Sequence, residues 1–251
     1  MRLTSFQKLT FAFAATLATG IAVSGGAVKA APVEYTSGHG DIGLAFEDGE
    51  LELHYHFDNT AVLDGSSPMS EIEFEPDEIY VRLGDDTRGT ATSSIAFLGL
   101  SAGDDAWVLP QNFTTGLPFL GIAADELDST FSAASLSLTS FSGPGEFAIW
   151  QTGGLSGTSV RMQTNDGVDE MDDVVNLSIG GHDHYNYGFT AEGVYTLGIS
   201  AEAELAAGGS VIDFGELTFV VGSATAVPEP TSMAALAVIG GVAAVRRRRR
   251  R

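Results

Sequence analysis

Five histidines are all that the 251 residues carry, and they stand in three tight groups. His39 lies in Gly38-His39-Gly40-Asp41, His54 and His56 flank Tyr55, and His182 and His184 flank Asp183. Imidazole is the commonest metal ligand among side chains, and tetrahedral zinc takes histidine together with aspartate or glutamate. The chain has no cysteine, which excludes disulfides, thiolate metal sites and cysteine nucleophiles together. A histidine-rich set without thiolate also suits copper(II) or nickel. Any one group alone reads better as a hydrogen-bonded pair on a strand. Three groups that use up every histidine point to metal.

Such chemistry needs an element that turns the groups toward one another. Asp41 to Phe46 and Leu51 to Phe57 flank Glu47-Asp48-Gly49-Glu50, and Asp-Gly is a strong two-residue hairpin signal. With Asp48-Gly49 as the turn, Phe46 faces Leu51, Leu44 faces Leu53 and Ile42 faces Tyr55, all on one apolar side. The other side then gathers His39, Asp41, His54, His56 and Asp58, with Asp41 opposite His56 and His39 opposite Asp58. Directly opposed Cβ atoms are about 4.5–5.5 Å apart, close enough for two side chains to share an ion. A three-residue bulged turn would reverse the parity and separate the set.

His182 and His184, two residues apart, present both rings on one face of an extended segment. Neither the hairpin nor this pair has enough ligands to close a four-coordinate site unless carboxylate or water completes it. The two halves are therefore expected to meet, His182-Asp183-His184 packing over the hairpin to form one zinc site or two neighbouring ones. The expected ligands are His39, Asp41, His54, His56, His182 and His184.

The body around these groups reads as all-β, with short strands predicted at Ile42–Phe46, Leu51–Phe57, Ile79–Leu83, Ser135–Leu138, Phe147–Trp150, Val174–Ile179, Val194–Ile199 and Leu217–Val221. Gly, Asp, Asn and Ser punctuate these runs. Only Ala123–Leu127 and Ala201–Ala207 look helix-capable. The pattern predicts an antiparallel β-sandwich, Ig-like or jelly-roll-like. Residues 31–226 hold 32 acidic side chains against three basic ones, Arg82, Arg88 and Arg161. Such a surface repels nucleic acid, attracts divalent cations and basic partners, and keeps an exported protein soluble.

Two other constellations are weaker. The acidic loop Asn165 to Asp173 makes calcium a second candidate cofactor through oxygen ligands, although it lacks EF-hand spacing and reads more simply as a solvated turn. Gly99-Leu100-Ser101-Ala102-Gly103 matches a serine-hydrolase pattern, but that motif needs a strand-to-helix elbow that an all-β chain does not supply.

Both ends have the composition of sorting signals. Arg2 and Lys8 accompany an apolar and small-residue run from Leu9 to Val23, followed by Ala27-Val28-Lys29-Ala30-Ala31. That is the pattern of a secretory leader, so residues 1–30 are expected to be a cleaved signal peptide and 31–226 the metal-binding domain. At the other end, Val227-Pro228-Glu229-Pro230 precedes an apolar run from Met233 to Val245 and then six arginines, Arg246 to Arg251. Residues 227–251 resemble the PEP-CTERM sorting signal. The resemblance implies a transient transmembrane helix, the export machinery and an exosortase as partners, and release to the cell surface or extracellular matrix.

The body carries a resemblance of its own. Gly38-His39-Gly40-Asp41-Ile42-Gly43, then Glu47-Asp48-Gly49 and His54, resembles the opening of the choice-of-anchor M domains of bacterial surface proteins. Phe147-Ala148-Ile149-Trp150, His182-Asp183-His184-Tyr185-Asn186-Tyr187-Gly188-Phe189-Thr190 and Gly193-Val194-Tyr195 resemble their second half. Many members carry tryptophan where this chain has Tyr187. With the PEP-CTERM tail, the chain is most similar to the family repressed by the zinc uptake regulator. That implies a zinc-handling protein made under zinc limitation, with metal-uptake components as partners. A non-enzymatic zinc-capture role is the reading favoured here. A zinc-dependent extracellular hydrolase using Asp41, Asp58 or Asp183 as base stays open, as does a matrix or adhesion module with structural histidines.

Overall fold

The computed structural model describes residues 30–154 and 157–224; the expected tail, and the expected leader up to its last residue, lie outside the described residues. Sixteen strands run along the described chain. They are β1 (Val33–Glu47), β2 (Glu50–Phe57), β3 (Val62–Leu63), β4 (Ile72–Phe74), β5 (Ile79–Leu83), β6 (Arg88–Thr90), β7 (Asp105–Leu109) and β8 (Pro118–Ala123) in the first half. The second half supplies β9 (Phe131–Ser142), β10 (Phe147–Gly153), β11 (Gly157–Gln163), β12 (Val174–Leu177), β13 (His182–His184), β14 (Asn186–Phe189), β15 (Gly193–Leu205) and β16 (Ser210–Val221). The fold is all-β, as the strand pattern requires.

Two sheets result. The larger runs β12-β9-β15-β16-β5-β1-β2-β4, with β3 and β8 also on β1 and β13 on β8; the smaller runs β11-β10-β14-β7-β6. They share one apolar core from Tyr35 to Val221. Phe219 of the larger sheet sits at its centre, with ring centroids 5.1 Å from Phe189, 6.0 Å from Tyr187 and 6.3 Å from Phe147 of the smaller sheet. Most pairings are antiparallel, but β1 runs parallel to β5 and to β8, and β16 parallel to β5. The expectation of a wholly antiparallel body is corrected to that extent.

Strand β1 makes the site possible because it changes neighbours along its length. Its first half lies beside β5 and β3, its second beside β2 and β8. The change falls at Gly38, whose φ of 85° disfavours a side chain and where a Cβ would strike the Thr60 carbonyl. The second half then turns back at Asp48-Gly49, both with positive φ as a two-residue hairpin of this kind demands. Ile42↔Tyr55, Leu44↔Leu53 and Phe46↔Leu51 pair in the register that the apolar side chains require. A slip of one residue would turn the fully buried Ile42, Leu44 and Leu53 outward, at about 1.5–3 kcal/mol each.

Neither helix-capable segment is helical. Ala201 and Ala203 are buried on β15 while Glu202 and Glu204 are not, a period of two fixed by pairing with β9 on one side and β16 on the other. Tertiary pairing overrides alanine's helix propensity there. Ala123 ends β8 and the next residues form a turn. Ser101 follows a short 3-10 turn, Ala96–Leu98, and no strand-to-helix elbow surrounds it. Among the described residues, no helix is long and apolar enough to cross a membrane.

Candidate metal centre

The side of the hairpin facing away from the core carries the histidines. Across β2, β1, β8 and β13, His56 pairs with Asp41, Asp41 with Gly121, and Gly121 with His184. In the next row His54 pairs with Gly43, Gly43 with Ala123, and Ala123 with His182. His39 pairs with Phe119 in the row on the other side. Since every second residue of a strand shares a face, all five histidines and Asp41 lie on one surface. β13 does not pack over the hairpin as expected. It joins the same sheet edge-on, with β8 between.

The rows are closed by small residues. A Cβ on Gly121 would run into Asp41 Oδ1 and would stand 3.1 Å from His184 Cε1. Their side chains can reach over β8 only because residue 121 has none. Phe119 supports the arrangement from one side, its ring stacked on that of His184 at 3.6 Å and 6°.

One ligand atom from each of His39, His182 and His184 lies within 4.8 Å of the others. His39 Nε2 is 3.5 Å from Asp41 Oδ2, and its Nδ1 is 3.5 Å from Asp58 Oδ2. Asp58 in turn accepts hydrogen bonds from the Thr60 amide at 2.7 Å and hydroxyl at 2.5 Å. Burial would raise the Asp58 carboxyl, but these hydrogen bonds hold it below the usual range. Asp58 therefore remains ionised to orient His39, as carboxylates behind metal-bound histidines do.

Asp41 is only 6% exposed and its Oδ1 has no hydrogen-bond partner; His184 Nδ1 is likewise buried without one. Orphaned buried polar atoms are rare and ask for an explanation. Burial, with the charge of Asp125, pushes the Asp41 carboxyl upward against the opposing pull of His39, His182 and His56. Burial also pushes His184 down to about 4, helped by the positive charge that His39 and His182 bring, against the smaller opposing pull of the Leu120 backbone. A neutral imidazole and a buried carboxylate are the forms that bind a cation. The donor set of three imidazoles and one carboxylate fits zinc, whose Zn–N and Zn–O bonds are about 2.0–2.2 Å.

His54 and His56 stand apart from those three. They share the face but turn toward Glu126, Glu73 and Glu71, forming a second group. Those glutamates escaped the sequence reading. Glu126 lies in the turn after β8 that had looked helix-capable, and Glu73 pairs with His56 on a three-residue strand too short to show a period. The acidic loop has a visible structural duty. Asp173, 4% exposed, accepts hydrogen bonds from the Gln163 and Asp169 amides, both at 2.8 Å.

Comparisons of the chain with protein-family models, with curated proteins and with solved structures give no match.

Proposed function

We propose that this chain is an exported, surface-sorted protein that captures or buffers zinc outside the cytoplasm when zinc is scarce. The observation that carries the reading is the convergence of His39, His182 and His184, from opposite ends of the body, beside a buried Asp41 with an unpartnered oxygen. Nitrogen-rich ligation without thiolate matches zinc better than calcium, which takes oxygen ligands. The resemblance to choice-of-anchor M and PEP-CTERM proteins supports surface sorting and zinc handling together, and with it a sandwich module of Ig-like or jelly-roll-like kind.

Holding the metal is favoured over hydrolysis. A catalytic zinc keeps one position open beside a carboxylate base, whereas here the buried Asp41, its Oδ2 3.5 Å from His39 Nε2, stands as a fourth protein donor beside the three imidazoles. Of the other bases considered, Asp58 is tied to Thr60, and Asp183 pairs with Ile122 on the opposite face. The test is elemental analysis and zinc titration of the full chain purified without chelators, with a His182→Ala/His184→Ala variant alongside. Tightly bound zinc that is lost in the variant is the expected result. A wild-type protein that takes up no zinc, or a variant that binds it unchanged, overturns the reading.

A further inference from the structure

The second histidine group has ligand chemistry of its own. His54, 6% exposed, places Nε2 at 3.2 Å from Glu126 Oε1, and His56 places Nδ1 at 3.6 Å from the same oxygen. His54, Glu73 and Glu126 each bring one ligand atom within 4.8 Å of the others. Three separate segments deliver them: β2, β4 and the turn after β8. His54 lies across Gly43, where a Cβ would stand 2.7 Å from Nε2, so the backbone leaves that ring a place at the bottom of the group.

The electrostatics of the group point the same way. Two glutamates brought this close repel unless a positive charge lies between them. The body's three arginines are engaged elsewhere: Arg82 with Glu34, Arg88 with Asp105, and Arg161 with Gln151. Among the described residues, the histidines are the basic groups that meet Glu73 and Glu126. A divalent cation would neutralise both carboxylates and take the two imidazoles as further ligands.

The geometry points to a second zinc site, formed by His54, His56, Glu73 and Glu126, that adjoins the histidine-rich one and binds more weakly. This deepens the zinc reading and rests on it for the identity of the metal. The two groups abut where Asp41 pairs with His56. Glu73 and Glu126 are exposed while Asp41 is buried, so an ion held by the glutamates exchanges with solvent more readily. The glutamate site is the outer of the two sites.

Zinc binding by the full chain, followed by calorimetry and by equilibrium dialysis, tests this with two variants. Glu73→Gln/Glu126→Gln changes exposed side chains without changing their shape, and unaltered melting of the metal-free variant verifies that it folds. The wild type should bind two zinc ions with separable affinities. The glutamine variant should lose the weaker one by at least about tenfold and keep the tighter one. His182→Ala/His184→Ala should keep only the weaker. A wild type that binds a single ion, or a glutamine variant indistinguishable from it, overturns the second site. If instead the alanine variant retains the tight ion, the histidine-rich site is refuted, while the glutamine variant still decides this one.

Discussion

Asp41→Asn should raise the melting temperature of the metal-free protein and nearly abolish the rise that zinc produces. The two effects have opposite signs because one carboxylate is costly alone and useful with a cation. Without metal, burial raises the Asp41 carboxyl above its ordinary range. A folded-state value above the unfolded one means stability present at low pH and lost as pH rises through the folded value, so at neutral pH the buried charge weakens the fold. The amide keeps the shape and removes that charge. With free zinc at 100 times the wild-type Kd, binding adds about 2.7 kcal/mol. For a body of this size each kcal/mol moves Tm by about 2–4 °C, so zinc should raise Tm by about 5–11 °C. Removing the one anionic ligand should weaken binding by about 100-fold, at the top of the range for groups that only support a ligand. Free zinc then equals the variant's Kd, and the gain falls to about 0.4 kcal/mol, or about 1–2 °C. The weaker outer site adds a similar increment to both proteins. Thermal melts with chelator and with buffered zinc read both arms. A variant that melts below wild type without metal, yet gains as much from zinc, would show that Asp41 is structural and not a ligand.

Three further outcomes are expected. Gly121→Ala places a methyl group against Asp41 and His184; it should destabilise the metal-free protein by about 1–3 kcal/mol and weaken the tight zinc site, read by urea unfolding and zinc titration. In metal-free protein the His184 ring should titrate near 4, pushed there by burial and by the charges of His39 and His182. Because the unfolded chain takes up that proton near 6.5, His184 makes the fold lose stability as pH falls from about 6.5 to 4; ring chemical shifts that move at the ordinary histidine pH would refute the packing against Phe119. Protein isolated from the cell surface should have the intact mass of a chain beginning near Ala31 and lacking Arg246 to Arg251, and a mass that includes the arginines would refute the sorting scheme.

The hairpin was legible because one choice of turn satisfied two demands at once. Asp48-Gly49 set a two-residue loop, and pairing Ile42, Leu44 and Phe46 with Tyr55, Leu53 and Leu51 left only one side for the histidines. Nothing comparable marked β8. Pro118–Ala123 is a short apolar run with two small residues, and its parallel pairing with β1 comes from a segment far along the chain. Without β8 in view, β13 had no route to the hairpin except over its face. Glu126 was hidden for a related reason: Ala123, Ala124 and Leu127 resemble a helical stretch until tertiary contacts make it a turn.

Parity explains why the distant groups meet even though β8 was unseen. Three pairings link β2, β1, β8 and β13, and none carries a bulge along the rows that matter. A residue two places on always returns to the same face, so His39-x-Asp41-x-Gly43, His54-x-His56, Phe119-x-Gly121-x-Ala123 and His182-x-His184 must line up together. Within that surface, histidines stand on the flanks of two rows, and small residues, Gly121 in one and Gly43 with Ala123 in the other, lie between them. Had residue 121 carried a long side chain, Asp41 and His184 would have been held apart by it, with the same register and the same core. The second half of the site's signature is therefore not a ligand at all. It is the spacing of Gly121 and Ala123, which lets the carboxylate of one strand and the imidazoles of another reach across the strand between them.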